Sequence, residues 1–172
     1  MEHRLRHDPS KNLVGFVVDD VNYAVPIARV KEIANPGQMV ALPDPPHGVV
    51  GVADYRGEVI PVLDLRARFG LPTAVATRRT KWIVVDAAGR LMAVVVDAAT
   101  EVFGTGGVDL RPPPSLARGD DLRGIGGVAT HNGELVFVLD TARLRDIVEP
   151  LAAVGHIGQG TRVTSLPPGT PT

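Results

Sequence analysis

VVGVADYRGEVIPVLD at residues 49 to 64 aligns without a gap on IGGVATHNGELVFVLD at residues 125 to 140. Eight of the sixteen positions are identical at a constant offset of 76: Gly51/Gly127, Val52/Val128, Ala53/Ala129, Gly57/Gly133, Glu58/Glu134, Val62/Val138, Leu63/Leu139 and Asp64/Asp140. Each copy runs apolar residues into a turn that carries glycine, Arg56-Gly57 in one and Asn132-Gly133 in the other. It then resumes as an apolar strand, which is the pattern of a β-hairpin. Each copy ends on an Asp followed by a charged, leucine-bearing stretch, DLRARFG (64 to 70) and DTARLRDI (140 to 147). An Asp there can accept hydrogen bonds from the free amides of a first helical turn, so a short helix is expected after each hairpin.

Working outward, LVGFVVD (13 to 19) and YAVPI (23 to 27) flank a polar turn. WIVVD (82 to 86) and LMAVVVD (91 to 97) flank Ala87 to Arg90. These read as two further hairpins. The bridges from Asn35 to Gly48 and from Val108 to Leu122 contain LPDPP and LRPPP, so they are expected to be extended and without helix. A strand in each bridge, near Gln38 to Leu42 and near Gly107 to Leu110, would raise the count from four to five per copy. Isolated hairpin pairs leave unpaired edges, so two copies point to two small barrels related by an approximate two-fold.

Composition agrees with a mostly β chain of 172 residues: 26 Val, 19 Gly and 15 Pro favour short strands and tight turns. Eighteen Lys and Arg against nineteen Asp and Glu leave a net charge of −1, which gives no field to draw in nucleic acid or anionic lipid. The absence of cysteine removes disulfides, thiolate metal sites and a Cys nucleophile. The longest apolar run, Leu91 to Val96, is far below the roughly 20 residues of a membrane-spanning helix. The expected location is cytoplasmic. Residues 1–11 and 150–172 read as flexible ends around a domain at 12–149, divided at roughly 12–75 and 80–149.

Few residues invite chemistry. Asp19-Asp20 and Asp120-Asp121 read as solvated turns, His47 and His131 as exposed, and His3 and His7, four apart in a tail with little reason to be helical, as capable of adventitious metal binding at most. The glycine clusters around 104 to 107 and 124 to 127 lack the helix and the Lys-Ser/Thr pair of a phosphate loop. No Ser has a His and an acid in motif context, so neither catalysis nor a cofactor is expected. Arg56, at a hairpin tip between apolar strands, fits either a partner's carboxylate or an internal ion pair with Asp54 or Asp64. Val30 fits core packing, or an apolar spot on an interaction surface if it is partly exposed.

The blocks YAVPIARVKEI (23 to 33), GVADYRGEVIPVLDLRARFGL (51 to 71), VVVDAATEVF (94 to 103), LRPPP and IGGVATHNGELVFVLDTARL (125 to 144) together resemble the CheW-like family of chemotaxis coupling proteins over about residues 13 to 148. The resemblance implies a pair of five-stranded, SH3-like β-barrels and no enzymatic activity. It implies an adaptor that links the cytoplasmic tip of chemoreceptors to the regulatory domain of a CheA-type histidine kinase and builds arrays with other copies of itself. It places Arg56, Val30 and Glu32 at partner contacts, with Gly51 and Gly57 shaping the backbone around them and Asp54 beside them. Where this chain has Asp54, Tyr55, Val50 and Gly126, the family commonly has Asn, Leu, Arg and Arg, departures that bear on which partner is bound. Related adaptors serve other kinase pathways such as surface motility. A small-barrel nucleic-acid module is the alternative from another class.

Overall fold

A computed structural model describes residues 8–104, 110–112 and 124–158, with side chains as far as 151. Among these residues ten strands form in order: β1 (Leu13–Val18), β2 (Val21–Pro26), β3 (Val30–Ala34), β4 (Val49–Tyr55), β5 (Glu58–Asp64), β6 (Lys81–Ala87), β7 (Arg90–Val96), β8 (Ala98–Phe103), β9 (Ile125–His131) and β10 (Glu134–Leu139). Helix α1 (Leu65–Arg68) follows β5, and helix α2 (Thr141–Gly158) follows β10. Both helices start as the sequence implies, with Asp64 Oδ1 accepting from the Arg66 amide at 2.9 Å and Asp140 Oδ1 accepting from the Ala142 amide at 2.9 Å. The turns Arg56-Gly57, Ala88-Gly89 and Asn132-Gly133 have positive φ at both residues, the conformation that matches strand twist in a two-residue hairpin.

The strands form two five-stranded sheets, ordered β8-β1-β2-β10-β9 and β3-β6-β7-β5-β4. Replacing each strand of one repeat (β1 to β5) by its equivalent in the other (β6 to β10) converts the first order into the second, so the pseudo-two-fold is present. The linear division at 12–75 and 80–149 is not the division of the sheets, however. Each sheet takes one hairpin from one repeat and three strands from the other. The exchange is sewn by two short parallel seams, Val138 against Ala24 and Val62 against Ala93. The chain leaves the first hairpin at the 3-10 turn Ile27–Arg29 and the third at Asp97, and each exit carries it to the opposite sheet.

Each sheet is an SH3-like barrel left open between its edge strands. The fifth strands are β3 and β8 rather than the bridge segments. Pairing of β3 with β6 and of β8 with β1 already supplies the fifth place. Within the bridges, single-residue pairings remain, Val40 with Val52 and Arg111 with Val128. No helix forms between Asn35 and Gly48. Most of the expected strand at 107 to 110, His3, His7, Asp120 and Asp121 lie outside the described residues.

The main core cluster joins both sheets, with Phe16, Val18, Tyr23, Ile125 and Leu139 from the first, Leu63, Ile83, Val85, Met92 and Val94 from the second, and Leu65, Leu144 and Val148 from the helices. Two smaller clusters lie within the separate sheets, Leu13, Phe103 and Val136 in one and Ile60, Trp82 and Val84 in the other. Helix α2 runs through Pro150 to Gly158, past the expected start of a flexible tail. Leu144, Ile147, Val148 and Leu151 repeat at helical spacing and pack on the main cluster, and that stripe carries the helix beyond the point where proline alone would end it. At the other end, Pro9–Lys11 form a 3-10 turn capped by Asp8, within the segment expected to be flexible.

Candidate partner-binding site

Strands β3 and β4 are the two open edges of the second sheet, and a side-chain latch spans them. Glu32, on β3, accepts from the Tyr55 hydroxyl at 2.8 Å and from Arg56 Nη2 at 3.3 Å through the same Oε2 oxygen. The Arg56 guanidinium lies over the Tyr55 ring, 5.2 Å from its centroid. Donation to the Glu32 carboxylate, and then burial, hold the Tyr55 phenol above its ordinary pKa, with Arg56 pulling the other way.

Arg56 therefore has an internal partner, but it is Glu32 and neither Asp54 nor Asp64. Asp54 Oδ1 accepts from the Gly57 amide at 3.0 Å and tightens the turn, while Asp64 caps α1. The Arg56 side chain remains 74% exposed against 38% for Glu32. It thus keeps most of its donors toward solvent while its stem is fixed by a turn with φ of 51°.

Val30 combines the two readings open for it, being half-buried, paired with Val85 and packed on the main cluster. A bulge between Val30 and Glu32 sets Glu32 toward Tyr55. Exposed Ile33, Val40 and Val59 add apolar surface to this sheet. Gly57, with φ of 84°, meets the turn requirement. Gly51 serves a close approach, because a Cβ there would lie 2.5 Å from the Val40 carbonyl oxygen.

The first sheet repeats the latch with different residues. Glu101 on β8 and His131 at the end of β9 stand where Glu32 and Tyr55 stand, and His131 Nε2 meets Glu101 Oε1 at 2.7 Å. His131 is stacked on Phe103 at 4.0 Å and half-buried, not the exposed turn residue expected. The gap-free alignment already sets His131 opposite Tyr55. The second strand of the latch gave no such signal, because β3 and β8 share too little identity. Among the described residues, no group of three or more His, Cys, Asp or Glu is placed to hold a metal ion.

The CheW-like domain family model matches residues 12–149. The chain belongs to the CheW-like family. Chemotaxis protein CheW of Helicobacter pylori is 32% identical over 127 residues, covering 73% of this chain and 76% of that protein. Protein FrzA of Myxococcus xanthus is 30% identical over 138 residues, covering 79% and 86%. The crystal structure of the scaffolding protein TtCheW from Thermoanaerobacter tengcongensis superposes with a TM-score of 0.68 at 25% identity, over 75% of this chain and 88% of that one. CheW-like membership makes the chain a signal-transduction adaptor of the chemotaxis type. In this CheW-like fold Gly51 admits the Val40–Val52 bridge, so Gly51→Val is expected to cost about 1–3 kcal/mol through overpacking. A lowered urea midpoint, with new exposure of the Val40 amide to hydrogen exchange, would show it. An unchanged midpoint would refute the close-approach role.

Proposed function

We propose that this chain couples the cytoplasmic tips of chemoreceptors to the regulatory domain of a CheA-type histidine kinase, in the cytoplasm and without a catalytic step of its own. The observation that carries the reading is the CheW-like match across residues 12–149. The surface supports it: Arg56, half-buried Val30 and Glu32 form a charged and apolar edge, with Gly51, Gly57 and Asp54 holding the backbone beneath. Such an edge suits a partner that brings a carboxylate to Arg56 and apolar side chains to Ile33 and Val59. Each contact can stay weak, because other copies of the chain in an array raise the effective concentration of every interface. No helix among the described residues is long and apolar enough to cross a membrane, and the charge of −1 offers nucleic acid no attraction.

Arg56→Glu tests the site. An exposed ion pair contributes about 0–1 kcal/mol, so the melting temperature should stay nearly unchanged while copurification of kinase and receptor tip is lost. A large drop in melting temperature would make Arg56 a structural residue instead. Failure of the folded wild-type chain to bind either partner would remove the adaptor reading. The likeness to Protein FrzA favours a second reading, in which the same adaptor serves a kinase pathway other than chemotaxis, and the kinase that copurifies decides between them.

A further inference from the structure

The two sheets carry equivalent latches, but the space beneath them differs. In the second sheet, Trp82, Val84 and Leu91 pack with Tyr55 and Ile60 in one apolar cluster beside the latch. Strand pairing sets Leu13, Gly15 and Asn22 at the equivalent positions of the first sheet. A smaller apolar residue, a glycine and an amide replace three bulky apolar side chains, and a cavity of about 160 Å³ opens beneath His131 and Glu101. Its apolar surface comes from Tyr23, Phe103 and Val136, and its polar side from Asn22, Glu101 and Glu134, with no Lys or Arg in the lining. His131 takes Oε1 of Glu101, and Asn22 Nδ2 donates to Oε2 of Glu134 at 2.9 Å. Among the described residues, the other oxygen of each carboxylate has no hydrogen-bond partner.

We infer that this cavity is a socket for an arginine side chain of a partner polypeptide. The volume is well under the roughly 300–1,000 Å³ of cofactor and drug-sized sites, and it suits a single side chain. A guanidinium offers a planar set of donors to the two carboxylate oxygens, while its methylene stem lies along Tyr23 and Phe103. Only the statement that the arginine belongs to a protein rests on the adaptor reading. The socket itself rests on the cavity and its lining.

The test is a ¹H–¹⁵N NMR titration of the full chain with acetyl-arginine amide, and with acetyl-citrulline amide as the uncharged isostere. The arginine probe is expected to move the amides of Gly15, Asn22 and His131, and the citrulline probe to leave them in place. Asn22→Leu restores the residue type of the second sheet and should fill the socket. Glu134→Gln removes one charge at an exposed position that leaves folding intact. Each is expected to weaken binding roughly tenfold, the equivalent of about 1.4 kcal/mol. Shifts that are absent from these amides, equal for both probes, or unaffected by both variants would overturn the socket. No kinase or receptor takes part, so a failed titration beside intact copurification removes the socket alone. A successful titration beside failed copurification leaves the socket and removes the adaptor reading.

Discussion

Phe16→Ala is expected to lower the unfolding free energy by about 3–5 kcal/mol, the usual cost of deleting a buried aromatic ring together with the cavity it leaves. Domains of this kind are stable by only about 5–15 kcal/mol, so the variant should be at the edge of folding at 37 °C. Phe16 is 1% exposed on β1, stacked on Tyr23 at 5.8 Å, and Tyr23 stacks in turn on Phe69 at 5.3 Å. Phe69 follows α1, so this row of rings ties the first sheet to the helix that follows β5 of the second. Trp82, the single tryptophan, lies on β6 in the second sheet and supplies a reporter remote from the mutation. Because one cluster contains side chains from both sheets, the urea midpoint by Trp82 fluorescence should fall as far as the midpoint by circular dichroism. A Trp82 transition that stays at the wild-type midpoint would show two independently stable sheets and refute the shared core.

The duplication was legible because hairpins β4-β5 and β9-β10 keep eight identities, and those identities lie where geometry leaves little choice. Gly57 and Gly133 occupy positive-φ turns, Gly51 and Gly127 admit the Val40 and Arg111 bridges, and Asp64 and Asp140 cap helices. The exchange of hairpins between sheets was not legible. It depends on the parallel seams β2-β10 and β5-β7, and apolar strands such as YAVPI and LMAVVV carry no mark of which neighbour they pair with. The same limit hid the internal partner of Arg56. Glu32 reaches it only because β3 and β4 close the same sheet from opposite edges, a relation that appears once the strand order is known. The length of α2 is hidden for a different reason, since the stretch from 150 onward is rich in Gly, Pro and Thr and reads as a tail by composition, while the stripe from Leu144 to Leu151 gains its meaning only from the core it packs against. The family blocks, by contrast, identified the adaptor class directly, because they record spacing across the whole domain and not the pairing of any one strand.

Asp97→Asn should produce the other large loss, about 1.5–3 kcal/mol at neutral pH, on the scale of hydrogen bonds to charged groups. Asp97 stands between β7 and β8, where the chain passes from the second sheet to the first. Arg66, just inside α1, grips it with Nε at 2.8 Å from Oδ1 and Nη2 at 2.8 Å from Oδ2, and the Asp19 amide of the first hairpin donates to Oδ2 at 2.7 Å. Arg66 also reaches the Pro72 carbonyl at 3.0 Å, so the carboxylate gathers the first hairpin, α1 and the segment after it around the crossover. Burial by itself pushes the Asp97 carboxyl up, but the Arg66 hydrogen bonds, the Asp19 amide and the Arg66 charge outweigh it and hold the pKa below the ordinary 3.8. A carboxyl whose folded pKa lies below its unfolded value adds stability that is complete above the unfolded value and is lost as pH falls through the folded one. The difference in unfolding free energy between wild type and Asp97→Asn should therefore be level from about pH 5 upward and shrink as the pH drops below 3.8. Urea midpoints for both proteins at neutral, mildly acidic and strongly acidic pH measure it. A difference that widens with acid, or none at neutral pH, would mean that the crossover is held by packing and that the Arg66 clasp contributes nothing.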